Sequence, residues 1–168
     1  MEPQLYNVDA VGYESVMLGM FQIFYGPANN FGGDRGIPKN TGLIPMYSRD
    51  GYNFSRPSRR TFIGSSMYRG AWDRGYVQSV GGVTIIHGDE LWIYYIAFAG
   101  DERYSRLNCR NLHDMESGMY MNGATGIAKL RRDGFVSLEG KGRIETRVLE
   151  INDTKRSLHL NAVGNVRV

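Results

Sequence analysis

The chain has 168 residues, 42% of them hydrophobic, and a net charge of +3, so it can bury a core and is not expected to be disordered. Its 22 glycines and 11 tyrosines favour strands and tight turns over helices. Basic residues are scattered, and no apolar run is long enough to span a membrane, so we expect neither a nucleic acid nor a membrane as partner.

The first predicted strand-rich unit covers residues 9–62. The residues before it lack the basic and apolar regions of a signal peptide. Residues 16–25 form a strand pattern, a long polar loop follows at 26–40, and residues 42–52 read GLIPMYSRDGY. Asp-Gly after a strand predicts a tight turn, because glycine accepts a positive φ. This unit shows no convincing helix pattern.

The second unit, residues 63–140, repeats this order. A predicted strand at 76–86 leads through the turn His87-Gly-Asp89 into a strand at 90–99. Both faces of the latter strand are apolar, so we expect both to be covered. Residues 125–135 then read TGIAKLRRDGF and match the corresponding segment of the first unit, which indicates a duplicated structural element.

The long loop of the second unit carries the residues considered as metal ligands. The only cysteine, Cys109, precedes His113, Asp114 and Glu116. Their spacing fits no standard zinc site, so we expect no metal and no cofactor. The pattern at 114–121 is compatible with a turn or two of helix. A lone cysteine also excludes an internal disulfide and leaves the cellular compartment undetermined.

Each unit thus has an inner strand, a hairpin, a middle strand, a loop, a third strand, an Asp-Gly turn and a short outer strand. That is the layout of a four-stranded propeller blade. Residues 141–168 add two predicted strands, at 143–151 and 157–168. We expect an all-β chain, a single domain over residues 1–168, built from four-stranded antiparallel blades of a partial β-propeller.

Several motifs, in this order, carry a resemblance to a known family. They are YSRDGYNFSRP at 47–57, AWDRG at 71–75, HGDELWIYY at 87–95, GIAKLRRDGFVSL at 126–138 and LHLNA at 158–162. The set resembles the C-terminal blades of bacterial five-bladed β-propeller glycoside hydrolases, the broad group around families 32, 43 and 68. The last motif is similar to the start of the β-sandwich that often follows the propeller. The resemblance implies about two blades of a five-bladed type.

The resemblance also implies cleavage of glycosidic bonds by two carboxylates. In this family they lie mostly on earlier blades, and the Asn-Asp-Pro motif of those blades is absent from the chain. We therefore expect a glycosidase-like propeller fragment or shortened relative that binds carbohydrate or lacks independent catalytic activity. One alternative is a glycoside hydrolase whose pocket is completed by oligomerisation. Another is a structural or interaction module.

Five residues are candidates for carbohydrate contact. Trp72 and Asp73 open the second unit, where an indole suits the apolar face of a sugar and a carboxylate accepts hydrogen bonds from hydroxyls. Tyr13 and Glu14 are assigned the corresponding position in the first unit, with Glu14 on an inner strand, and Gln78 lies on the second inner strand. The alternatives are a structural turn, a solvated edge charge and an ordinary polar strand position, respectively.

The remaining expectations concern turns and assembly. Asp50 and Asp133 are predicted turn residues, and Arg49 and Arg132 are predicted to bridge to neighbouring blades or to solvent. Two blades cannot close a ring and would leave apolar faces uncovered, so we expect the chain to form a homo-oligomer.

Overall fold

The computed structural model describes residues 2–105, 107, 118–148, 150 and 160–168. The chain divides into two compact units, Met1–Ser137 and Leu138–Val168. The first unit contains two antiparallel sheets, so the expected all-β class is confirmed. Within the described ranges, no helix has the length and apolar character needed to cross a membrane.

Sheet A is an antiparallel sheet in which the strands follow their chain order. Its strands are β1 (Gln4–Tyr13), β2 (Val16–Gly26), β3 (Asn40–Ser48) and the very short β4 (Ile63–Gly64). The predicted strand at 16–25 and the segment 42–52 therefore supply β2 and β3.

A short helix, α1 (Asn29–Arg35), lies in the loop between β2 and β3, where no helix was predicted. Its sequence contains two asparagines and two glycines, which are weak helix formers. Gly32 and Gly33 are buried, and a Cβ on Gly32 would lie 2.9 Å from the carbonyl oxygen of Ile37. Gly36 ends the helix in the left-handed conformation, with φ of 65°. A side chain at residue 32 would crowd the Ile37 carbonyl oxygen at the end of the helix, which favours glycine here despite its poor helix propensity.

Sheet B repeats the antiparallel order of sheet A with β5 (Gly75–His87), β6 (Glu90–Phe98) and β7 (Gly123–Arg131). The segment 125–135 supplies most of β7, so the sequence repeat corresponds to a duplicated run of three strands. In the described part of the chain sheet B has three strands rather than the four expected.

The two sheets pack face to face around one apolar core. It consists of Met20, Leu43 and Ile63 from sheet A and Val77, Ile93 and Ala97 from sheet B. Two buried polar side chains of sheet A donate hydrogen bonds to the same atom of sheet B. Gln22 Nε2 and Thr41 Oγ1 both donate to the Val77 carbonyl oxygen, at 2.9 and 2.8 Å. These bonds fix β5 relative to sheet A.

A buried lysine joins the same two sheets. Lys39 is only 1% exposed, and its Nζ donates to the phenol oxygens of Tyr6, at 2.6 Å, and of Tyr120. The ring centroids of Phe24 and Tyr76 both lie 5.7 Å from Nζ. Within the described residues no carboxylate pairs with this ammonium group. Aromatic faces and phenol oxygens therefore stabilise the buried cation.

The two faces of β6 differ in burial. Leu91, Ile93 and Ala97 point into the core and are at most 3% exposed. The outward residues Trp92 and Tyr94 are only half-buried. The prediction that both faces are covered therefore holds for the inner face alone.

The C-terminal unit does not show the strands predicted for it. Its described residues, 138–148, 150 and 160–168, contain neither helix nor strand. The rest of the predicted strands at 143–151 and 157–168 lies outside the described residues. So do residues 114–117 of the segment 114–121, of which residues 118–120 form a turn.

Candidate functional site

Trp72 lies in the segment that joins β4 to β5, and its indole packs on the inner face of sheet B. The Trp72 and Tyr95 rings are 5.7 Å apart between centroids and inclined by 35°. Gly126 lies directly beneath the indole, since a Cβ there would be 2.5 Å from Trp72 Cη2. Trp72 nevertheless remains 42% exposed, so a broad part of its ring surface is open to solvent.

Asp73 stands beside this indole and is held by its backbone. Its carbonyl oxygen accepts a hydrogen bond from the Ser66 amide at 3.1 Å. Burial, and after it the negative charge of Asp73, raises the pKa of the Tyr95 phenol, which places the carboxylate close to Tyr95. Among the described residues, none donates a hydrogen bond to the Asp73 carboxylate. We call Trp72, Asp73, Tyr95 and Gly126 the Trp72 platform.

An ion-pair cluster anchors the segment that carries the platform. Arg74 and Arg69 each place an Nη2 atom 2.7 Å from a carboxylate oxygen of Glu102, which lies in the short 3-10 helix after β6. The hydrogen bond from Arg74 is the main cause that lowers the pKa of Glu102. Because the Arg74 side chain is only 14% exposed, this pair holds the start of β5 close to Glu102.

Tyr13 ends β1 and is buried at the other end of the sheets. Its hydroxyl donates to Asp133 Oδ1, and its ring meets the Phe135 ring edge-on at 5.9 Å. Burial first, and then the hydrogen bond to Asp133, raises the pKa of Tyr13. Asp133 is therefore a turn residue, as predicted, but it also connects the two sheets.

Glu14 was predicted on an inner strand but lies in the turn between β1 and β2, with φ of 50°. Its exposed carboxylate accepts a hydrogen bond from Arg132 Nη2 at 2.6 Å. The equivalent turn in sheet B is Gly88-Asp89, not Trp72-Asp73. The predicted correspondence between the two pairs was wrong by one strand, because the Glu14-Ser15 turn lacks the glycine or asparagine that marks such hairpins.

Gln78 lies apart from the other four candidates. In β5 it follows Val77, which is fully buried in the core, so the alternation of side chains directs Gln78 to the outward face of sheet B. The structure therefore brings Trp72 and Asp73 together, places Tyr13 and Glu14 at the β1–β2 hairpin, and leaves Gln78 on a different surface.

The other residues singled out in the sequence have structural roles or lie outside the described part. Asp50 is a turn residue: its carboxylate accepts hydrogen bonds from the Tyr52 and Asn53 amides and from Asn53 Nδ2. The Asn53 amide is the main cause that lowers the pKa of Asp50. Arg132 bridges to the neighbouring sheet, which was one of its predicted roles. The residues considered as metal ligands, at 109–116, lie outside the described residues.

Comparison of the chain with protein-family models, with curated proteins and with solved structures finds no match. Its function is therefore inferred from its own residues.

Proposed function

We propose that the chain is a carbohydrate-binding module without catalytic activity of its own, in which a sugar ring stacks on Trp72 and its hydroxyls donate to Asp73. The observation that carries this proposal is the open indole surface of Trp72 beside a carboxylate that has no described donor. A flat aromatic face suits the C–H face of a sugar, and an ionised carboxylate offers only acceptors, which suits hydroxyl donors.

The proposed architecture is that of consecutive blades of a five-bladed, glycosidase-type β-propeller. Two runs of antiparallel strands that stack through one core, each followed by an Asp-Gly turn, support it. Hydrolysis would require two carboxyl groups about 5–9.5 Å apart across the scissile bond. Glu14 and Asp73 are poor candidates for such a pair, because Glu14 is in a hairpin turn and engaged by Arg132.

Binding to an oligosaccharide array, followed by calorimetry on the best ligand, tests the proposal. We expect Trp72→Ala and Asp73→Asn each to weaken binding by about tenfold or more, the loss expected for a stacking or charge-assisted contact. Tyr52→Ala is the control, because Tyr52 is an aromatic residue that is 90% exposed in the turn after β3 and belongs neither to the Trp72 platform nor to the outward face of sheet B. Failure of every sugar to bind, or wild-type affinity in both variants, would contradict the proposal.

The competing function, a glycoside hydrolase with a pocket completed by oligomerisation, has a separate test. Release of the aryl group from aryl glycosides by the purified chain, abolished by Glu14→Gln, would replace the non-catalytic proposal. We expect no release above the uncatalysed rate in either protein.

We also infer that the chain forms a homo-oligomer through the outward face of sheet B. Ile85 and Ile127 on this face are 44% and 43% exposed. Ile85 pairs with the half-buried Trp92, and Ile127 pairs with Tyr94, the next residue of β6 on the same face. Glu90 and Lys129 pair with each other on this face, at 3.9 Å, so its charges are balanced and do not oppose contact between two copies related by a two-fold axis. Sedimentation at micromolar concentration should show a dimer that Ile127→Lys dissociates, whereas a 19.0 kDa monomer would contradict the inference.

A further inference from the structure

A cavity of about 240 Å³ lies between the β1–β2 hairpin of sheet A and strands β5 and β6 of sheet B. Most of its walls are apolar and include Val11, Leu18, Met20, Ile93 and Phe135. Trp72, Asp73 and Tyr95 are not among its described lining residues, so the cavity is separate from the Trp72 platform.

A bulge in β5 accounts for this space. Ser79 pairs with Tyr95 and Thr84 with Ile93, so residues 80–83 stand opposite a single residue of β6. Gly82, with φ of 72°, packs against β1, where its Cβ position is 3.4 Å from the Val11 Cβ. The bulge thus holds the β1–β2 hairpin away from β6, which leaves the space between them. Such bulges occur often beside binding sites.

Two carboxylates border the cavity. Asp9 is half-buried and accepts a hydrogen bond from the buried hydroxyl of Ser79, while Asp133 accepts one from Tyr13. Both donors are neutral. In the described part of the chain no lysine or arginine lies within 4 Å of either carboxylate. The neighbouring Arg132 pairs with Glu14 and also contacts the Tyr13 hydroxyl. An ionised carboxylate beside apolar walls favours a cationic partner.

We propose that this cavity binds a hydrophobic organic amine, whose apolar group fills the space between the sheets and whose ammonium group donates to Asp9. Ser79 orients the Asp9 carboxylate, and Asp133 adds negative charge at the more exposed end. A cavity of about 150 Å³ accommodates benzene, so this larger one suits a fused bicyclic ring. The proposal does not depend on the sugar-binding function.

The proposal is tested by calorimetry with the full chain and two ligands of nearly equal shape, 1-naphthylmethylamine and 1-naphthylmethanol. At pH 7 the amine is a cation and the alcohol is neutral. We expect the amine to bind about tenfold tighter or more, because a hydrogen bond between charged groups is the stronger one. Asp9→Asn should remove this preference and leave the affinity for the alcohol unchanged.

Filling the cavity tests its location. Val11→Phe should weaken both ligands by about tenfold or more, because Val11 lines the space. Val8→Phe is the matched control, since Val8 is on the opposite face of β1 and is 43% exposed. Circular dichroism and urea unfolding establish that each variant folds. Trp72→Ala should leave both affinities unchanged, which separates this site from the sugar site.

Three outcomes would overturn the proposal. The first is that neither ligand binds at millimolar concentration. The second is equal affinity for amine and alcohol, or an amine preference that survives Asp9→Asn. The third is wild-type affinity in a folded Val11→Phe variant.

Discussion

Gly126→Ala tests how Trp72 rests on sheet B. A Cβ at residue 126 would lie 2.5 Å from Trp72 Cη2 and 2.7 Å from Tyr95 Cζ. Because non-bonded carbon atoms pack at about 3.5–4.0 Å, the indole must move outward by about 1 Å. Gly126 does not have a positive φ, so the added methyl group acts through this contact and not through backbone strain.

Two free-energy terms of similar size oppose each other in this variant. The weakened contact between the Trp72 and Tyr95 rings costs about 0.5–1.5 kcal/mol. Removing the flexibility of glycine from the unfolded chain stabilises the protein by about 0.4–1 kcal/mol. The free energy of unfolding should therefore change by less than about 1 kcal/mol, whereas a sugar that stacks on the displaced indole should bind about 2- to 12-fold more weakly.

The assay combines fluorescence, urea unfolding and calorimetry. In a Trp92→Phe background Trp72 is the only tryptophan, so its emission reports the displacement directly. Gly12→Ala is the control, because that strand glycine has no atom within 4 Å of its Cβ position. If both alanine variants give the same emission and the same sugar affinity, the proposed packing of Trp72 is refuted.

Three further predictions concern the core and the turns. Leu43→Ala should lower the free energy of unfolding in urea by about 2–5 kcal/mol, because this fully buried side chain lies in the shared core. Tyr13→Phe should cost about 1–2 kcal/mol at pH 7 through the lost hydrogen bond to Asp133. Since the folded pKa of Tyr13 is raised, this cost is present below pH 10 and should disappear as the pH rises through that higher pKa. Asp50→Asn should lower the free energy of unfolding at neutral pH. Because folding lowers the pKa of Asp50, the difference in unfolding free energy between variant and wild type should shrink as the pH falls below about 4. An undiminished difference at pH 2 would contradict this.

The strands could be predicted from the sequence because their signals are local. The continuous apolar run of β6 and the repeated Asp-Gly turns indicate strand type and order without knowledge of any partner. Where a signal was missing, the prediction failed. The Glu14-Ser15 turn carries no glycine, so the first inner strand was displaced, and α1 forms from residues with poor helix propensity.

The contacts of the candidate site could be predicted only in part. Trp72 and Asp73 are chain neighbours, so their proximity follows from the sequence. The indole packs against Tyr95 and Gly126, which the pairing of β6 with β7 brings together. The residues around Trp72 in the sequence do not indicate this pairing. The cavity likewise depends on the register shift in β5, which the strand pattern alone does not reveal.

The two Asp-Gly turns have different consequences for the order of folding. The Asp50 carboxylate accepts hydrogen bonds from the amides two and three positions further along the chain. This turn can therefore form without distant parts of the chain, on the timescale of a single hairpin. Asp133 meets Tyr13 across 120 positions of the chain, so that bond must wait until both sheets exist and have docked. Kinetic measurements on Tyr13→Phe should therefore show faster unfolding with an unchanged folding rate, since contacts that form after the rate-limiting step affect only the unfolding rate.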